Sequence, residues 1–340
     1  MKKLANYLLF FSLSLIFAAC NSDIGEQVED AVDLIDGVPR KTIDASQLGV
    51  NSFFNDSRFG SIGSQYAETQ NTLKINRFRV LFAWNDAVQS APNIPPNFSF
   101  YDEIVNSAPR GAELLVVLTD VPSWMGNSAN WIDGNPRKTF AESWVKPIVA
   151  RYGGNGSITG WQIWNEPNMP NRFDNQTLSL TNSPENFLDL VALSYSTAKA
   201  LAPNKLVVNG ATTAINQNYP ETLNYNRALR DGGLSAVTDV FAMHYYGKQF
   251  ENVVRSGGVQ DFMESIGQPV WVTESGAQGT QSQLAYGEQV WPFLNDNIEQ
   301  IDRIYIYQMY EPTDPSTTYG LRNLSSASAL SDLYIYLRDR

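Results

Sequence analysis

Two kinds of apolar pattern alternate along this chain from about residue 48 onward. The first is a short continuous run, such as ELLVVLT at 113–119. Similar runs occupy 48–54, 75–84, 159–164, 205–209, 237–245, 269–273 and 302–310. Runs of this length with no polar alternation predict strands buried on both faces, as in a parallel sheet covered by helices. The second kind is spaced at three and four residues. It predicts helices within 140–154, 183–204, 280–297 and 326–339. Ser183 and Pro184 supply a cap and a first-turn proline, and Gly153-Gly154 supplies a stop.

Strands alternating with helices over some 300 residues predict a (β/α)8 TIM barrel, an α/β fold, as a single domain over residues 47–340. The competing arrangement is an open doubly wound sheet. It is disfavoured because no glycine-rich phosphate loop follows the first strand.

The N-terminus has a different pattern. Lys2 and Lys3 precede an apolar stretch from Tyr7 to Phe17, then Ala18-Ala19-Cys20. A basic start, a short apolar stretch and small residues make a secretory signal, shorter than a spanning helix. Because the small pair runs into Cys20, the only cysteine, the segment resembles a bacterial lipoprotein signal. That resemblance implies removal of residues 1–19 and lipidation of Cys20. The chain would be extracytoplasmic, held to a bacterial membrane by its lipid alone, on the periplasmic or surface face of an outer membrane. Residues 20–46 read as an acidic tether, since six carboxylates from Asp23 to Asp36 precede any basic residue. With Cys20 lipidated, neither a disulfide nor a cysteine nucleophile remains.

Charge narrows the partners. The chain carries 24 Lys and Arg against 35 Asp and Glu, a net charge of −11. Such a surface disfavours nucleic acid and anionic lipid. A monomer is expected.

In a barrel the chemistry sits where strands end. WQIWNEPN, from Trp161, carries Glu166 at a predicted strand exit, and VWVTESG, from Val270, carries Glu274 at another. If the barrel closes, both carboxyls face one cleft. Paired carboxyls across a cleft are what glycosidic bond cleavage needs, one protonated and one ionised.

These two motifs, in this order, resemble the acid/base and nucleophile motifs of glycoside hydrolase clan A, the barrel glycosidases that include families 5 and 39. LGVNSFF and NRFRVLFAW are similar to the first two strands of that clan, VLTDVPSWM to its strand-three exit, and FAMHYYG to its strand-six exit. The resemblance implies a retaining double displacement on an extracytoplasmic β-linked poly- or oligosaccharide, with no cofactor and no metal. Glu166 would be the acid/base, Glu274 the nucleophile, and Asn165 a partner of the sugar 2-hydroxyl. Arg79, with Arg77 as the alternative, would steady the nucleophile. The clan's strand-eight Trp is absent, and Tyr305, Tyr307 and Tyr310 stand in that region.

The remaining candidates come from position. His244, the only histidine, is expected to touch substrate or hydrogen-bond Glu274, and Tyr246 to orient the nucleophile. A lone histidine cannot anchor a His-rich zinc site. Trp84, Trp124 and Trp131 lie at or past strand ends and are candidate platforms for sugar rings, with Tyr307 a further contact. Trp161, Trp164 and Trp271 read as packing, and Asp120 and Glu311 as solvated loop charges. Two other activities fit the same residues: a non-catalytic glycan-binding lipoprotein, and a transglycosylase.

Overall fold

A computed structural model describes residues 38–325 and 328–340. The signal segment, Cys20 and the tether up to residue 37 lie outside the described residues. Asp44–Arg340 form one compact unit. Its eight strands are β1 (Leu48–Asn51), β2 (Arg77–Ala83), β3 (Glu113–Thr119), β4 (Ile158–Ile163), β5 (Leu206–Asn209), β6 (Phe241–Tyr246), β7 (Val270–Gly276) and β8 (Ile301–Ile306). All paired neighbours are parallel, and β8 returns to pair with β1. Each predicted strand is present. The sixth begins later than its apolar run and the eighth ends earlier, because the chain leaves the ladder where turn and site residues begin.

Helices follow the strands: α1 (Ile62–Thr72), α2 (Ser99–Asn106), α3 (136–152), α4 (Pro184–Leu201), α5 (Glu221–Asp231), α6 (Val259–Ile266), α7 (Gln283–Asn297) and α8 (Asp332–Asp339). Ser183 caps α4 through its hydroxyl, with Pro184 in the first turn. α3 begins earlier than its apolar spacing suggests, because Asn135 caps it through two backbone N–H groups. A π turn over Ala141–Val145 precedes Pro147, which has no N–H to continue the ladder. None of the described helices is long and apolar enough to cross a membrane.

The barrel closes unevenly. β5 and β6 share a single bridge, Val208–Val240, in place of a ladder. Side chains complete the seam. Asn209 accepts from the N–H of Ala242 at 3.0 Å, and Asp239 accepts from the N–H of Val207 at 2.7 Å.

Close approach also fixes the end of β4. A Cβ on Gly210 would lie 2.7 Å from the carbonyl oxygens of Ile163 and Trp164. Those atoms are backbone and cannot swing away. Gly210→Ala is therefore expected to destabilise the protein by about 1–3 kcal/mol, the usual cost of overpacking. Denaturant unfolding measures this, and a change below about 0.5 kcal/mol would show that the β4 exit is free to shift.

Candidate active site

The site is built on one buried guanidinium. Arg79, from β2, is 1% exposed. Its Nε donates to Gln162 Oε1 at 2.7 Å, and its Nη2 to Asn165 Oδ1 at 2.6 Å. Its Nη1 donates to Asn51 Oδ1 at 2.7 Å and to Glu274 Oε1 at 2.6 Å. Asn51 and Gln162 are held in turn by the backbone of β7, β8 and β5. Arg77, the alternative, stands near the start of β2 beside Glu113 and the carbonyl of Ser46. It does not meet Glu274.

Glu274 lies inside β7, not at its exit. Between Val272 and Ser275 the strand gains a residue against β8, and it is also out of step with β6. A bulge of this kind re-aims a side chain beside a site. The Glu274 carboxylate is then gripped from two sides, by Arg79 and by the Tyr246 hydroxyl, which donates to Oε2 at 2.9 Å. Burial, and then the charge of Glu274, hold the Tyr246 phenol well above its ordinary pKa, so it stays a donor.

Glu166 follows β4 in a strained turn. Trp164 has φ +75° and Glu166 φ +47°, a region non-glycine residues seldom enter. Four hydrogen bonds hold it there. The Glu166 N–H donates to the Ala211 carbonyl at 2.9 Å. Asn175 Nδ2 donates to the carbonyls of Glu166 and Met169, both at 2.9 Å. Trp164 Nε1 donates to Asn175 Oδ1 at 2.8 Å. Asn175 is wholly buried. In the sequence its only local signal is an Asn-Gln-Thr triplet, which says nothing of this role.

His244 is fully buried between the two glutamates. Its Nδ1 is 3.2 Å from Glu166 Oε1 and its Nε2 3.4 Å from Glu274 Oε1. One oxygen of each carboxylate and a ring nitrogen lie within 4.8 Å of one another. Three such atoms have the spacing of metal ligands. A cation there would sit beside the Arg79 guanidinium, which already neutralises Glu274, so the set is better suited to proton chemistry. Burial raises the pKa of Glu166. The hydrogen bond and charge of His244, with Arg172 and Arg79, outweigh it and hold that pKa below the ordinary glutamate value.

Asp120 departs from its expected role as a solvated charge. At the β3 exit, with φ +63°, it receives Arg172 Nη2 at 2.9 Å. The same nitrogen donates to Asp174 at 2.6 Å. Glu311 is likewise engaged, accepting from Thr318 Oγ1 at 2.9 Å and the Tyr319 N–H at 2.6 Å.

Among the expected platforms, Trp84 is excluded. It is wholly buried, parallel to Trp144 of α3 at 6.0 Å, with its Nε1 spent on Gln89. Trp124 and Trp131 are half-buried, each anchored through Nε1 to a backbone carbonyl, so part of each ring still faces solvent. Tyr307 lies in the cleft, edge-on to Phe53, Tyr246 and Tyr319. Trp161, Trp164 and Trp271 pack in the core as expected.

A parallel eight-stranded barrel whose mouth holds two opposed glutamates, one gripped by a buried arginine, defines a barrel glycoside hydrolase. Comparison with known families agrees. The profile "Cellulase (glycosyl hydrolase family 5)" matches residues 41–306, and the chain belongs to that family. Among solved structures it is similar to a family 39 glycoside hydrolase from the gut symbiont Bacteroides cellulosilyticus WH2. That match has a TM-score of 0.63 and 17% identity, over 89% of this chain and 65% of the other. It is also similar to a monomeric β-xylosidase from Caulobacter crescentus CB15, with a TM-score of 0.61 and 16% identity over 88% and 69%. An endo-1,4-β-mannanase from Rhizomucor miehei aligns with a TM-score of 0.56 and 15% identity, over 89% and 98%. At these identities the likeness is one of fold. This chain spans just under two thirds of the first structure and nearly all of the last. A comparison with curated proteins gives no match.

The Asp120 cluster yields a pH test. Burial, with the charge of Asp174 beside it, raises Asp120 from 3.8 to about 6 against the pull of Arg172. The folded-state value exceeds the unfolded one, so folding favours the protonated form. That contribution is complete below about pH 3.8 and is lost as pH rises through about 6. Asp120→Asn cannot ionise. Its melting temperature relative to wild type should rise between pH 4 and pH 8, as read by calorimetry at several pH values. A flat difference would mean that Asp120 titrates normally.

Proposed function

We propose that the chain is a retaining glycosidase acting on a β-linked poly- or oligosaccharide, with Glu274 as nucleophile and Glu166 as acid/base. The observation that carries this reading is the opposition of two carboxylates across the barrel mouth, with oxygens within 4.8 Å. Retaining enzymes separate their carboxyl groups by about 5–5.5 Å, and inverting ones by about 6.5–9.5 Å to admit a water. In the first step Glu274 attacks the anomeric carbon while Glu166 gives its proton to the departing oxygen. In the second, Glu166 takes a proton from water as that water displaces Glu274. Arg79 and Tyr246 hold the Glu274 carboxylate in position. Asn165, its Oδ1 taken by Arg79, has its amide NH2 for a sugar hydroxyl. Trp124, Trp131 and Tyr307 offer ring surface to sugars.

The fold match to an endo-1,4-β-mannanase supports an enzyme acting within chains. Location outside the cytoplasm through a lipid on Cys20 is proposed from the sequence alone. A Cys20→Ala variant found in the soluble fraction, with wild type in the membrane fraction, supports it, and equal partition of the two overturns it.

Hydrolysis of β-1,4-linked glucan, mannan and xylan should be lost by roughly a thousandfold or more in Glu274→Gln and Glu166→Gln. Proton NMR of the first-formed sugar should show the β anomer. An α anomer would assign inversion, cleavage that survives Glu274→Gln would remove it as nucleophile, and binding without cleavage by wild type would favour a glycan-binding protein.

Glu166 must hold a proton to act as acid, yet its surroundings favour the carboxylate. Removing a nearby positive charge should therefore help it. Arg172→Gln is expected to move the alkaline limb of the kcat/KM profile to higher pH, since that profile reports the free enzyme. An unmoved limb would separate Arg172 from the acid.

A further inference from the structure

The charge of Arg172 draws Glu166 toward its carboxylate form. How strongly it does so depends on where the guanidinium stands. Arg172 follows β4 in the same segment as Glu166. Among the described residues its ion pairs are with Asp120 and Asp174. Its side chain is 33% exposed, so the guanidinium has room to swing if a contact is lost.

The two aspartates hold it differently. Asp174 takes Nη2 at 2.6 Å and Nε at 3.1 Å, a fork from within the same segment. Its Oδ1 also accepts the N–H of Asn175 at 3.0 Å, and Asn175 clamps the carbonyl of Glu166. Asp174 is therefore part of the turn itself. Asp120 comes from another strand exit, that of β3, and takes Nη2 alone at 2.9 Å. Two carboxylates against one guanidinium leave one negative charge in surplus. A proton on Asp120 removes that surplus and loosens the hold.

The neighbouring groups narrow what can carry the effect. Asp120 faces Arg172 and Asp174, with Tyr101 of α2 near it. Glu166 faces Arg172, His244 of β6 and Arg79 of β2, with Tyr246 and Tyr307 toward Glu274. Burial holds all three phenols above their ordinary value, so they stay neutral near pH 7. Among the cations that act on Glu166, Arg172 is the one bonded to Asp120.

We propose that Asp120 is a positioning residue for the acid/base: its carboxylate holds the Arg172 guanidinium off Glu166, so that Glu166 keeps its proton to higher pH. The proposal rests on the acid/base role given to Glu166 above and deepens it. Asp120 ionises as pH rises through about 6. Its hold on Arg172 thus strengthens toward neutral pH, where a general acid of low proton affinity is short of its proton. Asp120 has φ +63°, a conformation that Asp and Asn both tolerate. Asp120→Asn therefore removes the charge and keeps the backbone.

The test uses the full-length protein labelled with carbon-13 at its glutamate carboxyls. Glu166 is titrated by NMR, with Glu166→Gln assigning its signal. Asp120→Asn, Arg172→Gln and the double variant run beside wild type, with melting temperatures to confirm folding. In wild type the Glu166 signal should show its main titration and a smaller inflection near pH 6, as Asp120 ionises. Asp120→Asn should remove the inflection and move the main titration to lower pH. Arg172→Gln should move it to higher pH, and adding Asp120→Asn to Arg172→Gln should move it no further. On a glycan that wild type hydrolyses, kcat/KM of Asp120→Asn at about pH 8 should fall roughly threefold or more. The fall should shrink toward about pH 5, where wild-type Asp120 also holds a proton. A Glu166 titration that is unmoved or moved upward in Asp120→Asn overturns the proposal. So does an equal shift with and without Arg172, since Asp120 would then act on Glu166 directly. Cleavage without the titration shift leaves the catalytic reading standing and removes Asp120 from it. The expected shifts in a protein that cleaves no glycan keep the hold of Asp120 on Arg172 and remove the retaining reading.

Discussion

A guanidinium buried to 1% exposure must have its N–H groups met, and this requirement organises the barrel mouth around Arg79. Its donors reach β1, β4, the β4 exit and β7. No apolar residue could replace it without leaving Asn51, Gln162, Asn165 and Glu274 to find other partners. Buried ion pairs of this kind contribute little net stability, but losing one partner is costly, about 3–5 kcal/mol. The value of Arg79 lies elsewhere. One planar group sets the position of a carboxylate and of an amide on opposite sides of the mouth.

The two glutamates are placed by different means. Glu274 is held by a bulge and by two charged or polar donors. Glu166 is held by backbone strain, with Asn175 and Ala211 fixing a turn that its own φ disfavours. His244 lies between them. The difference suits the unequal roles proposed for them, since a nucleophile must stay ionised and an acid/base must change its proton state.

Much of the scaffold was legible in the chain. Continuous apolar runs marked every strand, because strands buried on both faces have no polar alternation to hide them. The two glutamates stood out by motif. Arg79 and Arg77 remained alternatives because both fall on the same side of β2, and only depth along the strand separates them. Trp84 is packing and not a platform, and the sequence carries a signal of it. It shares parity with Phe78 and Phe82, which pack against Tyr66 of α1 and Tyr101 of α2. Residues of that parity face the helices, and those of Arg79 face the barrel interior. Asp120, Asn175 and the bridging position of His244 were not legible. Asp120 and His244 depend on partners distant in sequence, His244 also on a bulge in a neighbouring strand, and Asn175 on the shape of a local turn that no residue pattern announces.

The seam between β5 and β6 gives the molecule a built-in weak line. Everywhere else the strands are zipped by ladders, but here one bridge and a few side chains serve as latches. The β4 exit that carries Glu166 rests on Ala211, just past β5, whereas His244 and Glu274 stand on β6 and β7 across the gap. Local breathing at this line would part the two halves of the proposed catalytic pair while most of the barrel stayed intact. Heat would then silence such an enzyme before it unfolded it, and cooling would close the line and restore the pair.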